Sequence, residues 1–194
     1  QWHSAQESQK RSLTFSIALP FAPQDWSGLS LVVGLAVAQV LSAGIALKWP
    51  NDICVRRADG YAKLGGILLE TQALPESAIA ATAELAAPAT GHGAGHGAAA
   101  RWLVIGLGLN LQGQPAGDLR APAADLVSSL APDSAADFLA DVPALCSRLV
   151  LAILQAVLRF EHTGFAPFAP EFGQRDVLLG QRIATFQDEQ LGHT

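Results

Sequence analysis

The chain has 194 residues, half of them hydrophobic and 15% charged, with a formal charge of -5. That balance excludes a disordered chain and supplies no basic footprint for general nucleic-acid binding. The length suits one domain with a sizeable core and a small appendage, although alanine inflates the apolar fraction.

Cys54 and Cys146 lie far apart and outside any Cys-x-x-Cys motif, so they read as reduced packing residues of a cytoplasmic protein. No membrane span is expected, because the apolar run from Leu29 to Leu41 is too short and Gln39 interrupts it. The sequence starts at Gln1 and holds no methionine, which reads as a fragment or a processed product.

Residues 5 to 12 are polar and read as a loop. Leu13 to Pro20 alternates large apolar with small or polar residues, the pattern of a strand with one buried face. Pro20 and Pro23 end it. Asp25 or Ser27 then caps a helix to about Ser42, with Gly44 as its stop. That helix is apolar nearly all round and should lie buried against a sheet.

Ile45 to Trp49, Ile53 to Val55 and Lys63 to Thr71 read as strands. Arg57-Ala58-Asp59-Gly60 supplies turn chemistry between the last two. The resulting hairpin brings Asn51 and Asp52 near Lys63. A cation beside an amide and a carboxylate suits an anionic substrate or a metal-nucleotide. From Gln72 to Ala100 alanine and glycine dominate, which reads as a mobile surface loop. Its two histidines, His92 and His96, are set among glycines and make a poor metal site.

Arg101 to Leu107 resumes a strand that runs into Gly108-Leu109-Asn110-Leu111. Two glycines there let something approach the backbone closely. Residues 112 to 124 are loop-like. Ser134 to Asp141 reads as a short helix. Pro143 to His162 reads as a longer one, with Asp141 as a cap and Leu145, Leu149, Ile153, Ala156, Val157 and Phe160 as a core stripe. Phe165, Phe168 and Phe172 predict one more short helix. Val177 to Phe186 reads as the first strand of a further β unit. The order predicts an α+β fold with a mainly antiparallel or mixed sheet covered by helices. A Rossmann fold is not expected, since Gly106-Leu107-Gly108 lacks a third glycine and its helix.

Three motifs then stand out in order: Lys48-Trp49-Pro50-Asn51-Asp52, Lys63-Leu64-Gly65-Gly66-Ile67-Leu68-Leu69-Glu70, and Gly106-Leu107-Gly108-Leu109-Asn110. Together they resemble the catalytic domain of the biotin protein ligases, from about Gln1 to Phe186. The resemblance implies a class II synthetase-like mixed β-sheet flanked by helices. It places the catalytic domain at residues 1–174, with the low-complexity loop at 72–100 inside it. It makes residues 175–194 the start of a small SH3-like C-terminal barrel.

The implied activity is formation of biotinyl-5′-AMP from biotin and ATP, with magnesium. Biotin then passes to a lysine of a biotin carboxyl carrier domain, such as that of acetyl-CoA carboxylase. By carry-over Lys63 is catalytic. Lys63, Gly65, Gly66, Leu68, Gly106 and Gly108 bind biotin. Trp2, Asn51, Asp52, Lys63 and Asn110 bind ATP, and Asp52 is a candidate metal ligand. Lys48 either pairs with Asp52 or faces the nucleotide, and Trp49 reads as packing rather than stacking.

Trp2-His3-Ser4 matches a family element that follows an arginine-rich loop. That loop lies before Gln1, so the fragment is expected to be impaired or inactive alone. A homodimer formed by sheet extension is one expectation. DNA is a partner only if an upstream helix-turn-helix exists. The competing readings are a lipoate–protein ligase or related acyltransferase, and a non-catalytic biotin-sensing effector module.

Overall fold

Alternation along Leu13 to Leu19 does produce a strand, and the chain forms the α+β fold it predicts. The computed structural model describes residues 11–42, 44–74, 100–113, 122–130 and 132–182. Five strands are present: β1 (Arg11–Phe21), β2 (Ile45–Lys48), β3 (Asp52–Arg57), β4 (Gly60–Ala73) and β5 (Arg101–Gln112). They form one sheet in the order β1-β5-β4-β3-β2. Each ladder is antiparallel. Parallel pairing is confined, among the described residues, to two single bridges, Leu47 with Asp176 and Lys63 with Ala123.

The β3–β4 turn falls at Arg57-Ala58-Asp59-Gly60, as expected. Arg57 pairs directly with Gly60, leaving only Ala58 and Asp59 between the strands. Gly60 has φ 134°, which an L side chain rarely adopts. Strand β4 also runs past Thr71 through Gln72 and Ala73, so the segment expected to be a loop begins later. Residues 75–99, including both glycine-flanked histidines, lie outside the described residues.

Helix α1 (Leu29–Leu41) is buried along almost its whole length, as its all-round apolarity requires. It covers β2, β3 and β4, while α4 (Val142–Thr163) packs against α1 and β1. Gln39 donates to both carboxylate oxygens of Glu171, at 2.9 and 3.1 Å. Gln39, which interrupts the apolar run, therefore faces the last helix. Asp25 and Ser27 do not cap α1. Asp25 instead accepts from the Ser27 N–H at 2.8 Å, and that bond holds its carboxyl below the usual carboxylate range. The N-cap is Gly28, with φ 86° and no side-chain cap. Its missing Cβ makes room for Phe165, whose Cγ would stand 2.6 Å from it.

The second half is helical. Two short helices, α2 (Leu126–Ser129) and α3 (Pro132–Ala140), precede α4. The sequence reading missed α2, which Asp125 caps by accepting from Ser128 N–H at 2.9 Å. Asp141 caps α4 as expected, accepting from Ala144 N–H at 2.8 Å. Of the predicted stripe of α4, Leu145, Leu149, Ile153, Val157 and Phe160 are buried, and Ala156 is partly buried against the core. Phe160 stacks on Phe21 of β1, with centroids 6.5 Å apart. Truncating a side chain such as Leu149 to alanine would cost about 2–5 kcal/mol.

Helix α4 is also long and apolar enough to cross a membrane by length and composition, which the sequence reading overlooked. Its buried stripe is committed to α1 and β1 instead.

A 3-10 turn (Ala166–Phe168) leads into α5 (Ala169–Arg175). Arg175 donates to the carbonyls of Ser42 and Ile45 at 3.3 and 2.9 Å and pairs with Glu171 at 3.5 Å. The Val177 N–H donates to the Leu47 carbonyl at 2.9 Å, which covers part of the outer edge of β2. Residues 177–182 form bends and a turn, not the expected strand, and 183–194 lie outside the described residues.

Candidate functional site

The pleat assigns each strand residue to a face. One face carries Leu13, Phe15, Ile17 and Leu19 of β1 and Leu103, Ile105, Leu107 and Leu109 of β5, and it meets the helices. The other carries Ser12, Thr14 and Ser16 opposite Asn110, Gly108 and Gly106. On that second face Gly66 pairs with Gly108, Leu68 with Gly106, and Asp52 with Gly66. The three sequence motifs thus meet on one side of the sheet, across β3, β4 and β5.

A bulge between Ile53 and Cys54 shifts the β3–β4 register, so Cys54 pairs with Lys63. Asp52 and Lys63 then share the second face, and Lys63 Nζ donates to Asp52 Oδ1 in an ion pair. Lys63 remains 42% exposed while Asp52 is 19% exposed, so the ammonium still reaches solvent.

The backbone of Lys63 is held from the other side as well. Its N–H donates to the Pro122 carbonyl at 2.7 Å, and its carbonyl accepts from the Ala124 N–H at 2.8 Å. The 122–124 segment is a structural partner that the sequence reading passed over as loop. The Ala124-Asp125 pair, whose aspartate caps α2, was its only signal.

The glycines are not equivalent. A Cβ on Gly65 would stand 2.3 Å from the Gly108 carbonyl oxygen and 2.8 Å from Leu109 Cδ2. Gly65 lies on the helix side with Leu109, and strand packing alone requires a glycine there. A Cβ on Gly106 would meet nothing nearer than Leu68 Cβ at 3.5 Å and Ser16 Oγ at 3.8 Å. Among the described residues the fold does not need a glycine there, and the space above it would admit a methyl group. Leu68, 48% exposed, borders that space.

The remaining candidates fall as follows. Asn51 donates its side-chain amide to the Ile67 carbonyl at 2.8 Å. Asn110 donates its own to the Ala124 carbonyl at 3.0 Å. Both amides are therefore engaged with backbone. Lys48 lies over the Tyr61 ring, 5.4 Å from its centroid, whereas Asp52 pairs with Lys63. Trp49 is 62% exposed, which corrects the packing expectation. It sits in the turn that carries the cis Trp49–Pro50 bond and is not covered by the core. Trp2 lies outside the described residues.

Cys54 is fully buried beneath Asp52 and Lys63. Burial, and then the nearby Asp52 charge, push its thiol up to about 12, against the opposing effect of Lys48 and Lys63. It is a neutral packing group and not a nucleophile. Among the described residues no cluster of three or more His, Cys, Asp or Glu side chains gathers to hold a metal. Asp52 as a magnesium ligand would fit the usual pattern of one or two carboxylates, with waters and substrate phosphates completing the shell.

Solved structures share this architecture. A biotin protein ligase from Aquifex aeolicus superposes with a TM-score of 0.51 at 19% identity, covering 85% of this chain and 60% of that one. Its apo form gives 0.51 at 18% identity, covering 85% and 61%. A biotin protein ligase-like protein of unknown function from Silicibacter sp. gives 0.54 at 14% identity, covering 92% and 67%. No protein-family model matches the sequence. The chain spans about 60% of the length of the Aquifex aeolicus protein. At these identities the likeness concerns the fold, and the chain has the mixed α+β fold of the biotin protein ligases.

Proposed function

We propose that this chain is the core of an ATP-dependent biotin–protein ligase. The observation that carries this reading is the ion-paired Lys63, half in solvent, at the edge of a sheet face whose neighbouring strands present glycines. In the proposed reaction a carboxylate oxygen of biotin attacks the α-phosphorus of ATP. Pyrophosphate leaves, and biotinyl-5′-AMP forms. The amine of a carrier lysine then attacks the acyl carbon, and AMP departs.

The first step drives two anions together. A fixed ammonium at Lys63 offsets their repulsion and stabilises the charge that builds on the pentavalent phosphorus. Asp52 holds that ammonium in place until substrate arrives. Biotin lies over Gly106 and Gly108, with Leu68 against its apolar part, because a bare backbone lets a flat ring approach closely. Magnesium would screen the ATP phosphates, with Asp52 as its one protein ligand. The carrier domain is the second substrate.

The test is a reaction of the full natural protein with ATP, magnesium and labelled biotin. Formation of biotinyl-AMP, with label passing to an added carrier domain, supports the reading. Lipoate replacing biotin as the adenylated acid would move it to a lipoate ligase. Tight biotin binding with no adenylate would move it to a sensing module.

A further inference from the structure

Two hydrogen bonds join Asn51 to Ile67. The Ile67 N–H donates to the Asn51 main-chain carbonyl at 2.9 Å. The Asn51 side-chain amide donates to the Ile67 carbonyl at 2.8 Å. An antiparallel hydrogen-bonded pair exchanges two such bonds between backbones. Here the carboxamide nitrogen stands where the N–H of a strand residue would stand. The last regular pairs of this ladder are Ile53 with Gly65 and Asp52 with Gly66. Asn51 therefore extends the β3–β4 ladder by one position, through its side chain, while the main chain already turns away at Trp49 to Asn51.

We infer that Asn51 is a positioning residue for the Asp52–Lys63 pair and not a ligand of the nucleotide. It acts through β4. Ile67 follows Gly66, the direct partner of Asp52, and precedes Leu68, the partner of Gly106. The bulge at Ile53 and Cys54 leaves the register between Asp52 and Lys63 free to slip unless the ladder is fixed on the Asp52 side. The Asn51 clamp fixes it there. The turn itself is tied down separately, because Ser30 Oγ donates to the Pro50 carbonyl at 2.8 Å.

The chemistry of the clamp is specific. The side chain must donate, and it must be short enough to reach the strand beside it. Aspartate has the same length but only acceptors when ionised. It would set a carboxylate oxygen against the Ile67 carbonyl. A magnesium-ligand role makes the opposite demand, since a carboxylate serves magnesium as well as an amide does or better. A direct phosphate contact also needs a donor, and the KM for magnesium-ATP tells it apart from the clamp.

This inference rests on the ligase reading for its kinetic part, and one arm of the test is independent of it. Asn51→Asp, Asn51→Ala, Lys63→Ala and the double variant Asn51→Ala with Lys63→Ala are made in the full natural protein. Single-turnover adenylate formation, the KM for magnesium-ATP, and amide hydrogen exchange at Gly66 and Ile67 are measured. Asn51→Asp and Asn51→Ala should slow the step by about tenfold, in line with loss of one part-buried hydrogen bond. The KM for magnesium-ATP should stay within about twofold, as for lost transition-state stabilisation alone. The double variant should be no slower than Lys63→Ala, because one acts through the other. Exchange at Ile67 should quicken in both single variants. Should Asn51→Asp fail to fold, Asn51→Ala carries the same comparison. An Asn51→Asp variant at full rate would overturn the inference. So would a raised KM for magnesium-ATP with Ile67 protection intact. If the wild-type protein makes no adenylate, the ligase reading falls, and the exchange data alone decide whether Asn51 clamps β4.

Discussion

Asn110 donates its side-chain amide to the carbonyl of Ala124 at 3.0 Å. The N–H of Ala124 in turn donates to the carbonyl of Lys63 at 2.8 Å. The last residue of the third motif thus reaches the backbone of the first residue of the second through a single intermediary. Asn51 does the same for β4 from the opposite side, through Ile67. Both motif asparagines thus hydrogen-bond to backbone beside Lys63, Asn51 to the strand that carries it and Asn110 to the 122–124 segment that flanks it.

The two glycines Gly65 and Gly106 should separate cleanly by mutation. Gly65→Ala drives a methyl group into the Gly108 carbonyl, 2.3 Å away, and backbone must shift to admit it. A loss of about 1–3 kcal/mol is expected, as for overpacking. Gly106→Ala meets only ordinary contacts, at 3.5 Å and beyond, and should melt within about 2 °C of wild type. Its cost should appear as weaker biotin binding by calorimetry. Gly106→Ala that binds biotin normally would remove this part of the sheet from the ligand site.

Gly28→Ala tests the entry to α1. The backbone there sits at φ 86°, and a Cβ would lie 2.6 Å from Phe165 Cγ. The left-handed conformation alone costs a non-glycine residue roughly 1–2 kcal/mol. The Phe165 ring must move as well. A melting temperature lower by about 4 °C or more is expected for a domain of this size. An unchanged melt would mean that Phe165 relaxes freely.

Much of this arrangement is legible in the sequence, and the misses have physical causes. Strong periodicity located β1 and α4, because burial on one face dictates the spacing in each, whereas α1 was legible as an apolar run because it is buried nearly all round. The hairpin motif placed Asp52 beside Lys63 because a two-residue turn leaves little choice of partner. The cap of α1 was misread because Asp25 and Ser27 satisfy each other locally, so composition pointed to a cap that Phe165 packing put at Gly28. Trp49 was misread because a large aromatic is usually buried, whereas this one sits in a turn held outward. The braces from Asn51 and Asn110 depend on which backbone lies alongside, and register of that kind is not written in either motif. Nor is the bulge at Ile53, which decides that Lys63 faces Asp52.

The two thiols should differ in reactivity. Cys54 is buried and its thiol is pushed up to about 12, while Cys146 is partly exposed. At pH 8 a disulfide reagent should label Cys146 promptly and Cys54 only on unfolding, because the thiolate is the reacting form. The sign for stability follows from the raised value. The folded chain keeps the Cys54 proton above pH 9 while the unfolded chain loses it, so stability falls as pH rises from about 9 to about 12. A Cys54→Ser variant should lose part of that alkaline slope. Rapid labelling of two thiols in the native protein would contradict the packing described here.

Lys63 carries the most consequential prediction, for the full natural protein. Lys63→Ala should slow adenylate formation by about 100-fold or more, near 3 kcal/mol, as when a preorganised charge is lost from a transition state. Biotin affinity should fall less, since in the proposed site the ring would rest on backbone and Leu68. Lys63→Arg should not restore the rate, because a planar guanidinium does not fit a compact ammonium position beside Asp52. The fold should survive, since the braces on Lys63 are made by its backbone to Pro122 and Ala124 and persist when the side chain is cut. Removing the ammonium leaves the Asp52 carboxylate 19% exposed without its counter-ion, so Lys63→Ala combined with Asp52→Asn should melt no lower than Lys63→Ala alone. The measurements are single-turnover adenylate formation and thermal melts of the three variants. A folded Lys63→Ala protein at the wild-type rate would return Lys63 to a solvated lysine at a strand start and make Lys48, now over the Tyr61 ring, the next cation to test.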